Sequence, residues 1–474
     1  MCSSDLSAAF GLGAFLLACR FFKLGDQADA DASSGPPDWR LYAAATLAFT
    51  AALLSKTVLC SLPVIVWLVI WWRRGRIRPF ELAVMLPWLL LGAASGLGTA
   101  WLEKTQVGAA GGCFDLSLFE RLVIAGKAVW FYWGKLLWPH PLAFMYPRWD
   151  PASFTAADLA YPAAVAILLM ALLLALPRIG RGPLVAVLAF LVTASPALGF
   201  ISVYPMRYTF VADHYQYLAS VPVIVLVVAA TTTLAVRWPP ALRVGLAVGA
   251  LGILAATTAA QTRIYENLET LWTDTLAKNP RCGAAHFHLG KVRLAQGRPA
   301  EAARLFAESE RLEVDHSEAD IAETFIANAL VRDGRPAEAL PHYEAALEKN
   351  PRNVEALNGL ANLRARSGDA AGAVPLYRRA LAERPGQPAI LTNLGNALLL
   401  AGDTPAAIDA YGQAVAARPT DAAARVSLAA ALARERRFDE AAGQLREALR
   451  LDPGNQAAAQ LLDRITAAPT SPAP

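Results

Sequence analysis

Apolar residues run in long blocks through the first 262 positions and then give way to an Ala-, Arg- and Glu-rich stretch with helical periodicity. A membrane-crossing helix needs roughly 20 apolar residues at about 1.5 Å rise each. Blocks at residues 7–22, 41–72, 79–101, 159–176, 183–203, 217–236 and 241–262 are the candidates. The second is too long for one crossing, since as a single helix it would measure about 48 Å. Ser55-Lys56 interrupts it and Pro63 follows. It is therefore expected to be a tight hairpin of two short spans with Lys56 near a water-facing end, a single tilted helix being the other reading. A further segment, 118–139, is apolar yet interrupted by Glu120, Arg121, Lys127 and Lys135. Trp130, Tyr132, Trp133 and Trp138 are membrane-interface residues, so an interfacial or re-entrant helix is expected there.

Charge adds direction to these blocks. Arg73, Arg74, Arg76 and Arg78 follow one span, Arg178 and Arg181 join two others, and Arg237 and Arg243 join the last two. Placing all three connections in the cytoplasm gives a consistent alternation. Segments 102–158 and 204–216 then face outward, together with everything after residue 262. In a Gram-negative bacterium that side of the inner membrane is the periplasm. The composition, 55% apolar and 17% charged with a net charge of +4, fits a membrane protein and gives no nucleic-acid footprint. The five cysteines form no Cys-x-x-Cys pair and suggest no disulfide framework.

The second half has a period. Pro351, Pro385, Pro419 and Pro453 recur every 34 residues, the tetratricopeptide-repeat (TPR) spacing, each closing a helix-turn-helix unit. Ala339, Ala373, Ala407 and Ala441 are the small residues at which paired helices approach, and Tyr343, Tyr377, Tyr411 and Leu445 fill the large position four residues on. Gly334, Gly368 and Gly402 occupy the intra-repeat turn, where Arg436 replaces the fourth glycine. Gly290, Gly297, Ala302 and Phe306 mark an earlier repeat without a closing proline, whose exit is about three residues longer. The chain is thus expected to be all-α: a polytopic membrane domain over 7–263, a helical junction over 264–280 and a five-repeat α-solenoid over 281–453. A solvating helix at 454–467 and a disordered tail at 468–474 would follow. With no Gly/Ser linker at the junction, the last span is expected to run on helically into the array.

Candidate chemistry is confined to the outward loops. No phosphate-cradling Gly loop, Cys/His metal spacing or nucleophile elbow is present, so no metal or cofactor is assigned. The loop YPMRYTFVADHYQYLAS (204–220) sets Arg207, Asp213 and His214 among tyrosines at a membrane face. A snorkelling aromatic belt accounts for such residues without function. The functional reading is an outward cavity for an anionic, lipid-linked substrate. Arg207, with Lys135, Arg148 and His214, would hold phosphate or sugar, and Asp213 would act as base toward an acceptor hydroxyl.

RYTFVADHYQYLAS, LSKTVLCSLPVIVWLVIWWRRGRI and KLLWPHPLAF with the following Tyr-Pro resemble bacterial membrane proteins with C-terminal TPRs. These in turn are similar to the animal transmembrane-and-TPR O-mannosyltransferases of the GT-C fold. The resemblance covers nearly the whole chain. It implies a glycosyltransferase that moves a sugar from a polyprenyl-phosphate donor to Ser or Thr of exported proteins. Asp213 matches the acidic member of that family's acidic-basic pair, and His214 stands where the family has arginine. The family's acidic residue in the first outer loop has no match here. Met1–Leu6 (MCSSDL) reads as the translated end of a sequencing adapter, so residues 1–6 are expected to be foreign and the chain a truncated copy of a longer one.

Asn328, Asn362 and Asn396 recur at one register of successive first helices and are expected to line the concave groove, where amides bind a peptide backbone without reading its sequence. Two functions follow: sugar transfer to exported polypeptides presented by the TPRs, or a non-catalytic membrane-anchored scaffold for envelope or secretion assemblies.

Overall fold

The computed structural model describes residues 3–24, 36–312 and 319–467. Met1 and Cys2 of the segment expected to be foreign, part of the long exit from the first repeat, and the 468–474 tail lie outside them. The chain divides into two compact units, Met1–Cys282 and Gly283–Pro474, and helices make up both.

The first unit contains α1 (Ser3–Phe21), α2 (Trp39–Ser55), α3 (Leu62–Arg74), α4 (Pro79–Leu102), α5 (Leu118–Leu137), α6 (Ala160–Ile179), α7 (Gly182–Ala194), the single turn α8 (Asp213–Gln216), α9 (Ser220–Leu234), α10 (Pro240–Thr262) and α11 (Leu268–Lys278). α1 and α2 run antiparallel: Ser7 Oγ near one end donates to Ala52 O at 3.1 Å, and Phe21 at the other packs on Trp39 at 5.6 Å. Lys56 takes an extended conformation (φ −164°, ψ 131°), which ends α2, and a short 3₁₀ stretch turns the chain back into α3. α4 then returns beside α2, with Tyr42 Oη donating to Val84 O at 2.9 Å and Trp88 Nε1 to Thr46 Oγ1 at 2.8 Å. Gly92 makes the α4 approach feasible, since a Cβ there would lie 2.4 Å from Cys60 O.

Five helical stretches among the described residues are long and apolar enough to cross a membrane: Thr57–Arg74, Pro79–Val107, Ala156–Ile179, Ser220–Arg237 and Pro240–Tyr265. Other apolar blocks make shorter helices than their sequence implies. α2 has 17 residues and α7 only 13. Block 183–203 is not one helix, because Pro196 sits in the turn that closes α7 and Gly199 follows at φ +93°. Block 217–236 starts its helix only at Ser220. Two of the arginine-rich connections lie together: Arg181 is 5.8 Å over the Trp71 ring, and Arg74 beside it pairs with the buried Glu81.

The junction is not one continuous helix. α10 passes through a 3₁₀ turn at Arg263–Tyr265, and Asn267 then caps a new helix by accepting from Thr270 N at 2.9 Å. α11 packs onto the 139–150 loop of its own unit. Trp272 meets Phe144 edge-on at 5.4 Å, and Asn279 Nδ2 donates to Met145 O at 3.3 Å.

The second unit is five helix pairs and a closing helix: α12 (Gly283–Ala295) with α13 (Pro299–Leu312), α14 (Ala319–Arg332) with α15 (Pro336–Lys349), α16 (Val354–Arg366) with α17 (Ala370–Glu383), α18 (Pro388–Leu400) with α19 (Thr404–Ala417), α20 (Ala422–Arg434) with α21 (Phe438–Leu451), then α22 (Gln456–Ala467). Ala302, Ala339, Ala373, Ala407 and Ala441 are fully buried where the pairs cross. The turn glycines have φ of +78°, +94° and +88° at Gly334, Gly368 and Gly402, and Arg436 is held at +60° in the same place. Gly368→Val is therefore expected to cost about 1–2 kcal/mol, the left-handed penalty. Arg436→Gly is expected to be neutral or stabilising by under about 1 kcal/mol, since strain relief exceeds the entropy cost of glycine only slightly. Thermal unfolding of the two variants in the full chain checks both, and a stabilising Gly368→Val would contradict the turn assignment.

Candidate functional site

The outer-loop residues separate into two groups. Asp213, the first residue of α8, accepts a hydrogen bond from Tyr146 Oη at 2.9 Å, and Tyr146 is itself buried. Lys135, near the end of α5, lies 5.3 Å over the Tyr146 ring and 5.6 Å over Phe131, with Nζ donating to Pro141 O. α5 is well anchored. Ser117 and Glu120 form a capping box at its start, and Arg121 donates to Gly199 O at 2.8 Å.

Burial raises the Asp213 carboxyl above its ordinary value, against the Tyr146 hydrogen bond and the charges of Lys135 and Lys278. Burial lowers Lys135, and Asp213 opposes that. Because the folded-state value of Asp213 is raised, this carboxyl favours the fold most at low pH, and that contribution fades as pH rises through the folded value. Tyr146 is pushed up by burial and by the Asp213 charge, so it remains a proton donor. A half-buried carboxylate with a raised pKa, a fixed phenol donor and an adjacent ammonium can accept a proton from a bound hydroxyl.

The expected phosphate-holding arginines do not join this group. Arg148 donates from Nε to Met206 O at 3.0 Å and from Nη2 to Cys113 O at 3.1 Å, with its guanidinium 4.4 Å over Phe210. It ties loops together instead of facing a ligand. Arg207 is only 5% exposed, with its guanidinium 5.7 Å from the Tyr208 ring. His214 is exposed and meets Tyr215 edge-on at 4.5 Å. Tyr146, Glu103 and Lys278 were not singled out from the sequence. Glu103 opens a π-helical turn after α4 and accepts from Tyr204 N at 2.9 Å. Such turns often mark functional positions, but nothing local in the sequence announces this one.

In the array, Asn328, Asn362 and Asn396 do share a register, each paired with a tyrosine. Tyr343, Tyr377 and Tyr411 donate to their Oδ1 atoms, each at 2.6 Å. Burial pushes all three phenols up to about 12, so they stay protonated donors. Asn393 Nδ2 also donates to Asn362 Oδ1 at 3.1 Å. Each amide oxygen thus already accepts one hydrogen bond within the array, and that of Asn362 accepts two. An open groove of about 710 Å³ lies elsewhere, between α19 and α21, lined by Asp409, Gly412, Gln413, Gly443 and Gln444.

A tetratricopeptide-repeat family model matches residues 269–312, 326–388 and 392–456. The C-terminal array is built of tetratricopeptide repeats. These stretches make up less than half of the chain. No curated protein matches it. Similar solved structures include YrrB, described as a TPR protein with an unusual peptide-binding site, at 17% identity over 40% of this chain and 96% of that one, TM-score 0.35. A MamA fragment from Desulfovibrio magneticus RS-1 shows 18% identity over 37% of this chain and 97% of that one, TM-score 0.34. Pseudomonas aeruginosa pilF shows 18% identity over 39% of this chain and 82% of that one, TM-score 0.36.

Proposed function

We propose that the chain is a membrane-embedded protein whose TPR array holds an extended polypeptide on the outer side of a bacterial inner membrane. The observation that carries the binding role is the row of Asn–Tyr pairs, in which a tyrosine hydroxyl fixes the amide of one asparagine at the same register of three successive repeats. An extended backbone presents carbonyls to such a row whatever its side chains are. Membrane embedding is supported by the spanning windows in α6 and α10, apolar helices of which none is buried within the chain. In water that much bare apolar surface is unfavourable, whereas a lipid chain covers it. The scaffold reading needs no catalytic group.

The binding reading is tested with the full chain in detergent and short labelled unstructured peptides. The combined Asn328→Ala, Asn362→Ala and Asn396→Ala variant is expected to bind about tenfold more weakly, a hydrogen bond being worth about 0.5–1.5 kcal/mol each. Undiminished binding would remove the groove from consideration.

A second reading, sugar transfer from a polyprenyl-phosphate donor to a Ser or Thr hydroxyl, is favoured by one observation, the Asp213–Tyr146–Lys135 group. Asp213 would take the acceptor proton as the lipid phosphate leaves. Asp213→Asn is expected to leave the fold intact, because it removes a half-buried charge, and to abolish glycoprotein staining of the envelope. Staining that persists in this variant would dismiss the transfer reading and leave the scaffold.

A further inference from the structure

The array segregates its charges. The inner helices α12, α14, α16, α18 and α20 contain only three carboxylates among the described residues, and each is held by neighbours. Asp320 accepts from Asn350 at 2.8 Å and Asn353 at 2.9 Å. Glu323 meets His342 at 2.6 Å and Lys349 at 3.1 Å, and Glu355 meets Arg384 at 2.8 Å. The outer helices carry most of the array's acid, and part of it is met by arginines close by: Arg298, Arg335 and Arg437 in the preceding turns pair with Glu301, Glu338 and Glu440, and Arg450 pairs with Glu447.

Three exposed arginines of the inner helices share one register. Arg332, Arg366 and Arg434 stand one helical turn beyond the Asn register, on the same faces of α14, α16 and α20. They are exposed, and none is hydrogen-bonded or ion-paired within the described residues. Standing four residues after the Asn position, they fall on the same side of their helices as the Asn–Tyr row, and the charges of Arg366 and Arg434 act on the Tyr377 and Tyr411 hydroxyls. In α18 the same register holds Leu400, 72% exposed. The row therefore reads Arg, Arg, Leu, Arg at intervals of one repeat.

We infer that the array is selective for an acidic polypeptide segment, one whose carboxylates meet Arg332, Arg366 and Arg434 and whose apolar side chain meets Leu400. This rests on the groove-binding reading and names the class of its occupant. Charge complementarity supplies the argument: three guanidiniums without partners line a face whose own carboxylates are all engaged. Spacing adds a register. Packed helices lie about 8–10 Å apart. An extended chain advances about 3.3 Å per residue, so about three residues pass each repeat. The fitting segment carries acid, acid, apolar and acid at every third position.

The test uses the full chain in detergent and two labelled peptides, one with Glu, Glu, Leu and Glu at every third position and one with Gln replacing each Glu, read by fluorescence anisotropy. At low ionic strength the Glu peptide is expected to bind about tenfold more tightly, the sum of three exposed ion pairs, and added salt is expected to erase the difference. The combined Arg332→Gln, Arg366→Gln and Arg434→Gln variant is expected to lose this preference. An equal charge loss on the outer helices, Arg304→Gln with Arg378→Gln and Arg446→Gln, is expected to keep it. Equal binding of both peptides, abolished by the Asn substitutions, would overturn the acidic selectivity and retain the groove. Loss of the preference in the outer-helix variant would overturn it as an effect of net charge. Failure of both peptides to bind would overturn both readings.

Discussion

Tyr377→Ala is expected to destabilise the array by about 3–5 kcal/mol, the usual cost of emptying an aromatic site in a packed core. Tyr377 is 1% exposed in the middle repeat, and its hydroxyl bonds Asn362. In a repeat stack each unit leans only on its neighbours, so a cavity at the centre weakens the stacking on both sides, whereas one at an end frays a single unit. The matching Tyr377→Phe keeps the ring and loses only the hydrogen bond, for about 0.5–1.5 kcal/mol. Chemical denaturation of the full chain, followed by far-ultraviolet circular dichroism, separates the two. A Tyr377→Ala loss under about 1 kcal/mol would mean that the ring is not the packing unit its burial indicates.

Trp88→Ala is expected to be of similar size, about 3–5 kcal/mol, in the other unit. Trp88 is fully buried, stacks on Phe49 at 4.7 Å and 15°, and donates to Thr46 Oγ1. Among apolar helices in lipid the hydrophobic drive between helices is weak, so close packing does more of the holding. Removing the indole leaves a gap between α2 and α4 that Phe49 alone cannot fill. The measurement is the apparent unfolding temperature of the full chain in detergent, with Trp88→Phe as the milder partner. An unchanged temperature for Trp88→Ala would show that this contact does not hold α4 in place.

The two units were legible to different degrees, for a physical reason. The array's contacts are between neighbours in sequence, so a fixed period of Pro, Ala, Tyr and Gly specifies them, down to Arg436 standing in a glycine's left-handed conformation. The apolar unit is joined over long separations that periodicity does not encode. The Tyr146–Asp213 bond spans 67 positions, and the Trp88–Thr46 bond spans 42. Arg207 shows the same limit. Beside an apolar block a cation reads as a ligand group, yet only the folded neighbourhood reveals that it is enclosed. Asp213 was visible by type and position, and its phenol partner was not. The break between α10 and α11 was missed because Asn267 and Thr270, a sound helix start, were outweighed by the absence of a flexible linker.

A tyrosine hydroxyl takes one lone pair from each of the amide oxygens of Asn328, Asn362 and Asn396, and Asn393 takes the second at Asn362, so the inner row is poorer in free acceptors than in amide hydrogens. On the proposed binding reading, a β-strand partner would exchange hydrogen bonds in both directions, whereas this row would ask less of a guest's own N–H groups. Proline, which has none, loses no bond by lying here, and its preference for extended backbone suits the site. If the array holds a polypeptide as proposed, proline-rich segments would give up little by lying along this row, and they would bring less conformational freedom to lose.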